Sequence, residues 1–192
     1  MKQKAEYRSS IRSKRLIRQA FVELLQEKEL EKISVTDIIR RADINRGTFY
    51  AHYQDTQAVI EQIENEIIEK MLEFLGEFRF QNFFQDPLPL LLKISTYLEE
   101  DLEFYRILIN SNGSEQFLIK LKDIFVKHME TDTDIPDQFK RSPAFLIRAH
   151  FFAGGLVNLY QVWFRGEMGI SLNEIALEIS KLITSRPIRT PG

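Results

Sequence analysis

Apolar residues recur at three- and four-residue spacings through most of the chain, the repeat of amphipathic helices. In residues 10–27, Leu16, Ile17, Ala20, Phe21, Leu24 and Leu25 form one stripe, and Arg12, Arg15 and Arg18 lie off it. After the charged linker KELEK, Ser34 is placed to cap a short helix with Asp37 as its reciprocal partner, and Val35, Ile38 and Ile39 form its buried side. That helix is predicted to end near Ala42. Asp43-Ile44-Asn45 then makes a tight turn with Ile44 as a core plug, and Asn45 caps a second short helix running to about His52. Two short helices joined by a three-residue turn make a helix-turn-helix.

The pattern continues in the remaining residues. Asp55 caps a helix to about Leu75, with Val59, Ile60, Ile63, Ile67, Met71 and Leu75 along one side. GEFRFQNFF (76–84) breaks it, and Asp86-Pro87 is predicted to cap and open the next helix, through Glu99. Further helices are predicted over 101–110 and 115–129, with NSNGS (110–114) as a break and ETDTDIPDQ (130–138) as a mobile loop. Ser142-Pro143 restarts helix. Residues 143–165, about 34 Å long at 1.5 Å per residue, are apolar over most of their circumference and need cover on more than one side. Ala153-Gly154-Gly155 in its middle suggests close approach of another backbone, Gly166 ends it, and Ser171 with Glu174 boxes the last helix, to about Ser185. RPIRTPG is a tail. The fold class is all-α, with about nine helices: a three-helix head over 1–54 and a helical body over 55–192.

Composition agrees and removes several chemistries. Gly 8 and Pro 6 are too few for a sandwich or barrel rich in turns. With Cys 0 there is no thiol nucleophile, disulfide or cysteine-ligated metal, and the 3 His show no metal-ligand spacing. No metal, cofactor or enzymatic activity is expected. The start of the chain lacks a secretory apolar segment, and residues 145–164, the most apolar stretch, carry Arg148, His150, Asn158 and Gln161. A soluble cytoplasmic protein with no membrane partner is expected.

The net charge of −2 conceals an asymmetry. Residues 1–54 hold 12 Lys/Arg against 7 Asp/Glu, and residues 55–192 hold 14 against 21. A basic head on an acidic body suits a polyanion bound on one side. In the second short helix Phe49 and Tyr53, four apart, should face the core. Asn45, Arg46, Thr48, Tyr50 and His52 remain for solvent or ligand. Arg46 is the best candidate for a base edge, because a guanidinium fork matches guanine acceptors. Thr48 and Asn45 suit bases or phosphates, while Tyr50, His52 and Thr36 suit phosphates.

Residues 33–59, SVTDIIRRADINRGTFYAHY at their heart, resemble the DNA-binding segment of TetR/AcrR-type bacterial transcriptional regulators. The resemblance implies Ser34 at the start of the second helix and Thr36 as a phosphate contact. It also implies that Arg46, Gly47, Thr48, Phe49, Tyr50, His52 and Tyr53 lie in the recognition helix and its exit. Ile39 stands where the family has Ala, Asp43-Ile44-Asn45 replaces Gly-Val-Ser, and Thr56-Gln57 replaces Lys-Glu. Residues 90–183 more weakly resemble a C-terminal domain found in a subset that includes DhaS-like regulators. A homodimer on a palindromic double-stranded operator is implied, with half-sites about one DNA turn apart. Its interface is expected on the last two long helices, at Phe151, Gly154, Gly155, Leu159, Trp163, Ile175 and Ile179. Repression under control of a small apolar or aromatic effector is the expected function. Phe104, Tyr105, Phe117, Phe125, His128, His150 and Phe152 are candidate pocket residues, with core packing as their alternative. Activation of a metabolic operon, or a protein adaptor with a vestigial helix-turn-helix, are the rival readings.

Overall fold

The computed structural model describes residues 2–111 and 114–184. Among them are eleven α-helices and one 3-10 turn. These are α1 (Lys2–Glu27), the turn Leu30–Lys32, α2 (Val35–Ala42), α3 (Arg46–Tyr50), α4 (Thr56–Gly76), α5 (Phe80–Gln85), α6 (Leu88–Glu99), α7 (Leu102–Asn110), α8 (Ser114–Thr131), α9 (Asp137–Lys140), α10 (Pro143–Phe164) and α11 (Leu172–Thr184). The two helices beyond the nine expected, α5 and α9, are short and lie in stretches that read as a break and a loop. The tail RPIRTPG lies outside the described residues.

The chain divides into two compact units, one of residues 1–67 with 106–117, the other of residues 68–105 with 118–192. In the first, α1 packs on α2 and α3. Ile17, Phe21 and Leu24 of α1, Ile38 of α2, Phe49 of α3 and Val59 and Ile63 of α4 are buried. Each fully buried Phe or Ile contributes about 2 kcal/mol of transfer free energy. Local hydrogen bonds set where the helices begin. Ser34 Oγ accepts from the Asp37 amide at 3.2 Å, and Asp37 Oδ2 accepts from the Ser34 amide at 2.9 Å, a complete capping box. Asp55 Oδ1 accepts from the Ala58 amide at 2.8 Å and starts α4.

In the second unit α11 packs along α6. Ser95, fully buried on α6, donates to the Leu172 carbonyl at 3.1 Å at the start of α11. Its hydroxyl lies 3.4 Å from Tyr160 Oη on α10, so one buried polar group joins three helices. Burial pushes the Tyr160 phenol up, which keeps it neutral. Ser171 and Glu174 form the predicted box at the start of α11.

Three local expectations are corrected. Asp86 does not cap α6: Pro87 occupies the N-cap without a side-chain bond, and Pro89 sits in the first turn. The acidic stretch 130–138 is anchored, because Ile135 is buried in a cluster with Val126, Met129, Phe145, Ala149 and Ala153. At Gly154 and Gly155 an added Cβ would meet nothing within 4 Å among the described residues, so no close neighbour within the protomer requires a glycine at either position.

Candidate nucleic-acid interface

The Asp43 turn positions α3. Asp43 adopts the left-handed conformation at φ 50°, and the Asp43 and Ile44 amides both donate to the Ile39 carbonyl, closing α2. The chain re-enters helix at once. Asn45 Oδ1 accepts from the Thr48 amide at 2.7 Å and from the Thr48 hydroxyl at 3.0 Å. Phe49 is completely buried and fixes the rotation of α3 about its axis. That rotation leaves Asn45, Arg46, Gly47 and Tyr50 exposed, with Thr48 half-buried. Tyr50 is 51% exposed and stands edge-on to Phe49 at 5.5 Å.

Thr36, exposed in the first turn of α2, joins this surface: Arg46 Nη2 donates to its hydroxyl at 3.4 Å. Two positions from different helices thus converge. A guanidinium fork, hydroxyls and the N-terminal turn of α2 together offer donors suited to base edges and phosphates. Arg41 on the same helix is not available in this way, since Glu27 (2.7 Å) and Glu23 (3.4 Å) hold it and raise its affinity for its proton.

Three of the predicted contacts have other work. Tyr53 is only 6% exposed and packs against Phe49 at 5.9 Å, so its ring belongs to the core. The Ser34 hydroxyl donates to Asp37 Oδ2 at 2.6 Å while accepting the Asp37 amide, so its proton is committed to the cap. Asp37 in turn pairs with Lys28 at 2.7 Å, and these contacts hold its carboxyl well below the usual carboxylate range. His52 Nε2 shares a 2.7 Å hydrogen bond with Ser13 Oγ, fastening the exit of α3 to α1. Burial, then the nearby Lys14 charge, lowers the His52 affinity for a proton.

In the second unit Phe125, His128 and Phe152 line one cavity together with Phe78, Phe83 and Leu90. It holds about 30 Å³. Phe104, Tyr105 and Phe117 do not line it; they are buried core residues. His150 is exposed and also lies outside it. Of the expected interface residues Phe151 is 73% exposed, Gly155 is exposed, and Gly154, Leu159 and Trp163 are half-buried. Trp163 Nε1 donates to the Ile170 carbonyl at 2.5 Å. Ile175 and Ile179 are corrected: they are buried inside the protomer, at 2% and 3% exposure. Ile147 and Leu182, both 68% exposed, take their place as outward apolar groups. Ile147 lies four residues before Phe151, so helical spacing would have found it.

Residues 17–63 match the family description "Bacterial regulatory proteins, tetR family", and residues 85–185 match "Transcriptional regulator C-terminal region". The dhaKLM operon transcriptional activator DhaS of Lactococcus lactis is 33% identical over 138 residues, 70% of this chain and 67% of that protein. The transcriptional regulator YxbF of Bacillus subtilis is 28% identical over 116 residues, 57% of this chain but 29% of its own length. Among solved structures, a TetR regulator from Streptococcus agalactiae superposes with a TM-score of 0.59 at 19% identity, covering 95% of this chain and 99% of that one. A dihydroxyacetone kinase operon activator, DhaS, superposes with a TM-score of 0.55 at 23% identity, covering 89% and 93%. At these identities the structural likeness concerns the fold.

Proposed function

The chain belongs to the TetR family of DNA-binding bacterial regulators, and from that premise we propose a homodimeric, effector-controlled repressor with a head over 1–54 and a regulatory body over 55–192. Each subunit sets residues 45–52 in a major groove, and the two half-sites lie about one turn apart. The observation that carries the reading is the exposed convergence of Thr36 and Arg46, held by two capped helices. Tyr50 and the Thr36 hydroxyl serve phosphates, and Arg46 reads a base. The dimer forms through the outward apolar groups of α10 and α11.

Effector control requires a ligand that prefers one of two conformations. The cavity beside Phe125 and Phe152, about 30 Å³, lies far below the ~300 Å³ at which small-molecule sites begin. Entry of an effector therefore has to displace an aromatic wall such as Phe83 or Phe152. That movement is the proposed signal, and α4, with residues in both units, is its proposed carrier.

A second reading, activation of a metabolic operon, is favoured by the name of the Lactococcus relative. One experiment addresses both. Duplexes selected from a random pool should yield a palindrome, and a reporter behind that palindrome in the protein's own promoter should be silenced for a repressor or induced for an activator. Recovery of no sequence, with duplex binding insensitive to salt and to Arg46, would favour the adaptor reading.

A further inference from the structure

A second cleft lies in the first unit, between α1 and α4. Ile11, Lys14, Arg15 and Arg18 share one face of α1, at helical spacings of three and four. Gln62, Ile63 and Glu66 face them from α4, and Tyr53 closes one wall. The cleft holds about 260 Å³, much more than the cavity of the second unit. Thr36, Arg46 and Tyr50 do not line it, so it is separate from the proposed reading surface.

Its lining is of two kinds. Ile63 and the Tyr53 ring supply a buried floor, and Ile11, half exposed, continues it toward solvent. The rim has three cations and one carboxylate. Arg18 is held by Glu66 at 3.3 Å, whereas among the described residues neither Lys14 nor Arg15 has a carboxylate partner. An apolar slot edged by uncompensated cations is complementary to a ligand with a flat body and an anionic end. Burial, reinforced by Glu66 and opposed by Arg18, raises the Tyr53 phenol, which leaves its hydroxyl a neutral donor at the slot.

We propose that this cleft binds a small aromatic anion, an aryl phosphate ester or carboxylate, with its ring against Ile11 at the edge of the Tyr53–Ile63 floor and its charge on Lys14 and Arg15. The size points to a single ring, since the volume falls just below the usual range for drug-sized ligands. Guanidinium and ammonium donors together accept either oxyanion. An occupant bridges α1 to α4, adding to the tie already made by Arg18 and Glu66. The site is independent of the effector cavity and of the sign of regulation.

The test uses the full chain, isotopically labelled, titrated at constant ionic strength with phenyl phosphate, benzoate, phenol and inorganic phosphate. Saturable amide shifts confined to residues 11–18, 53 and 62–66 are expected with phenyl phosphate or benzoate. A Kd of about 1 mM or tighter is expected for so few atoms. The Lys14→Gln/Arg15→Gln double variant, altered only at exposed positions, should bind about tenfold more weakly with an unchanged thermal midpoint. Equal responses to inorganic phosphate would reduce the site to bare charge, and equal responses to phenol to bare hydrophobicity. Either result overturns the proposal, as does the absence of saturation. Displacement of the probe by random duplex, with the double variant losing affinity for that duplex, would assign the two cations to DNA phosphates instead.

Discussion

Arg46 Nη2 donates to Thr36 Oγ1 across 3.4 Å, linking the first turn of α3 to the first turn of α2. The bond is long and exposed, so it orients the guanidinium without immobilising it. Arg46→Ala is expected to lose about 1–3 kcal/mol on the selected operator and to relax preference at one or two positions. Arg46→Lys should recover charge but not the bidentate fork. Gel-shift titrations on operator and random duplex distinguish the roles, because equal losses on both would assign Arg46 to the phosphate backbone.

Asp43 is the only non-glycine residue with positive φ among those described. A side chain in the left-handed region costs roughly 1 kcal/mol, less for Asp than for most residues, and glycine offsets part of any gain through its greater freedom when unfolded. Asp43→Gly should therefore stabilise the protein by about 0.5 kcal/mol, read as a higher urea midpoint. The substitution also removes an anion beside the proposed DNA surface. Asp43→Asn, which loses the charge and tolerates the same backbone, should share the gain in duplex affinity but show little of the gain in stability. Unchanged affinity in both variants would place Asp43 away from the DNA.

How much of this was legible depends on distance along the chain. The caps at Ser34, Asn45, Asp55, Ser142 and Ser171 use partners three residues on, so residue types alone expose them. The Ser13–His52 bond spans 39 residues, and nothing local in either segment announces it. Spacing does not separate the roles of the phenylalanines. Phe117 is core, Phe152 lines a cavity and Phe151, its neighbour, points outward. A helix apolar on most sides does not reveal which side its own protomer covers. On the amphipathic α11, Ile175 and Ile179 lie on the single apolar side, and that side is taken by the interior of the protomer rather than by an interface.

The His52 environment implies a pH dependence. Because burial and Lys14 lower its affinity for a proton, the unfolded chain binds that proton more readily near the ordinary value of 6.5. Its contribution is therefore complete above that value and is lost as pH falls through the lower folded-state value. Protonation does not break the contact with Ser13, since that hydroxyl can turn its proton to the Ser9 or Ser10 carbonyl, each 3.0 Å away. His52→Gln should flatten the decline in thermal midpoint between about pH 7 and 5. Ser13→Ala should cost about 1 kcal/mol at neutral pH. An identical pH profile for His52→Gln would show that the imidazole titrates as it does when unfolded.

The proposed dimer makes its own demand on α10. Ile147 and Phe151 lie one helical turn apart, both largely exposed, and Gly155 continues the same line with open space above it. On α11, Leu177 and Leu182 are also exposed, whereas Ile175 and Ile179 serve the interior. Burying Phe151 and Ile147 against a second copy would contribute about 2 kcal/mol per side chain. Phe151→Glu would place a charge on each side of a two-fold contact and remove that contribution twice. The variant is expected to sediment as a 22.7 kDa monomer with intact helical circular dichroism, because Phe151 contributes little to its own protomer's core. Operator affinity should fall steeply while binding to a single half-site remains weak and unchanged. Ile175→Ala, in contrast, should lower the thermal midpoint and leave the oligomeric state intact. A dimeric Phe151→Glu protein, or a monomeric Ile175→Ala protein that is still folded, would move the interface away from the outer face of α10.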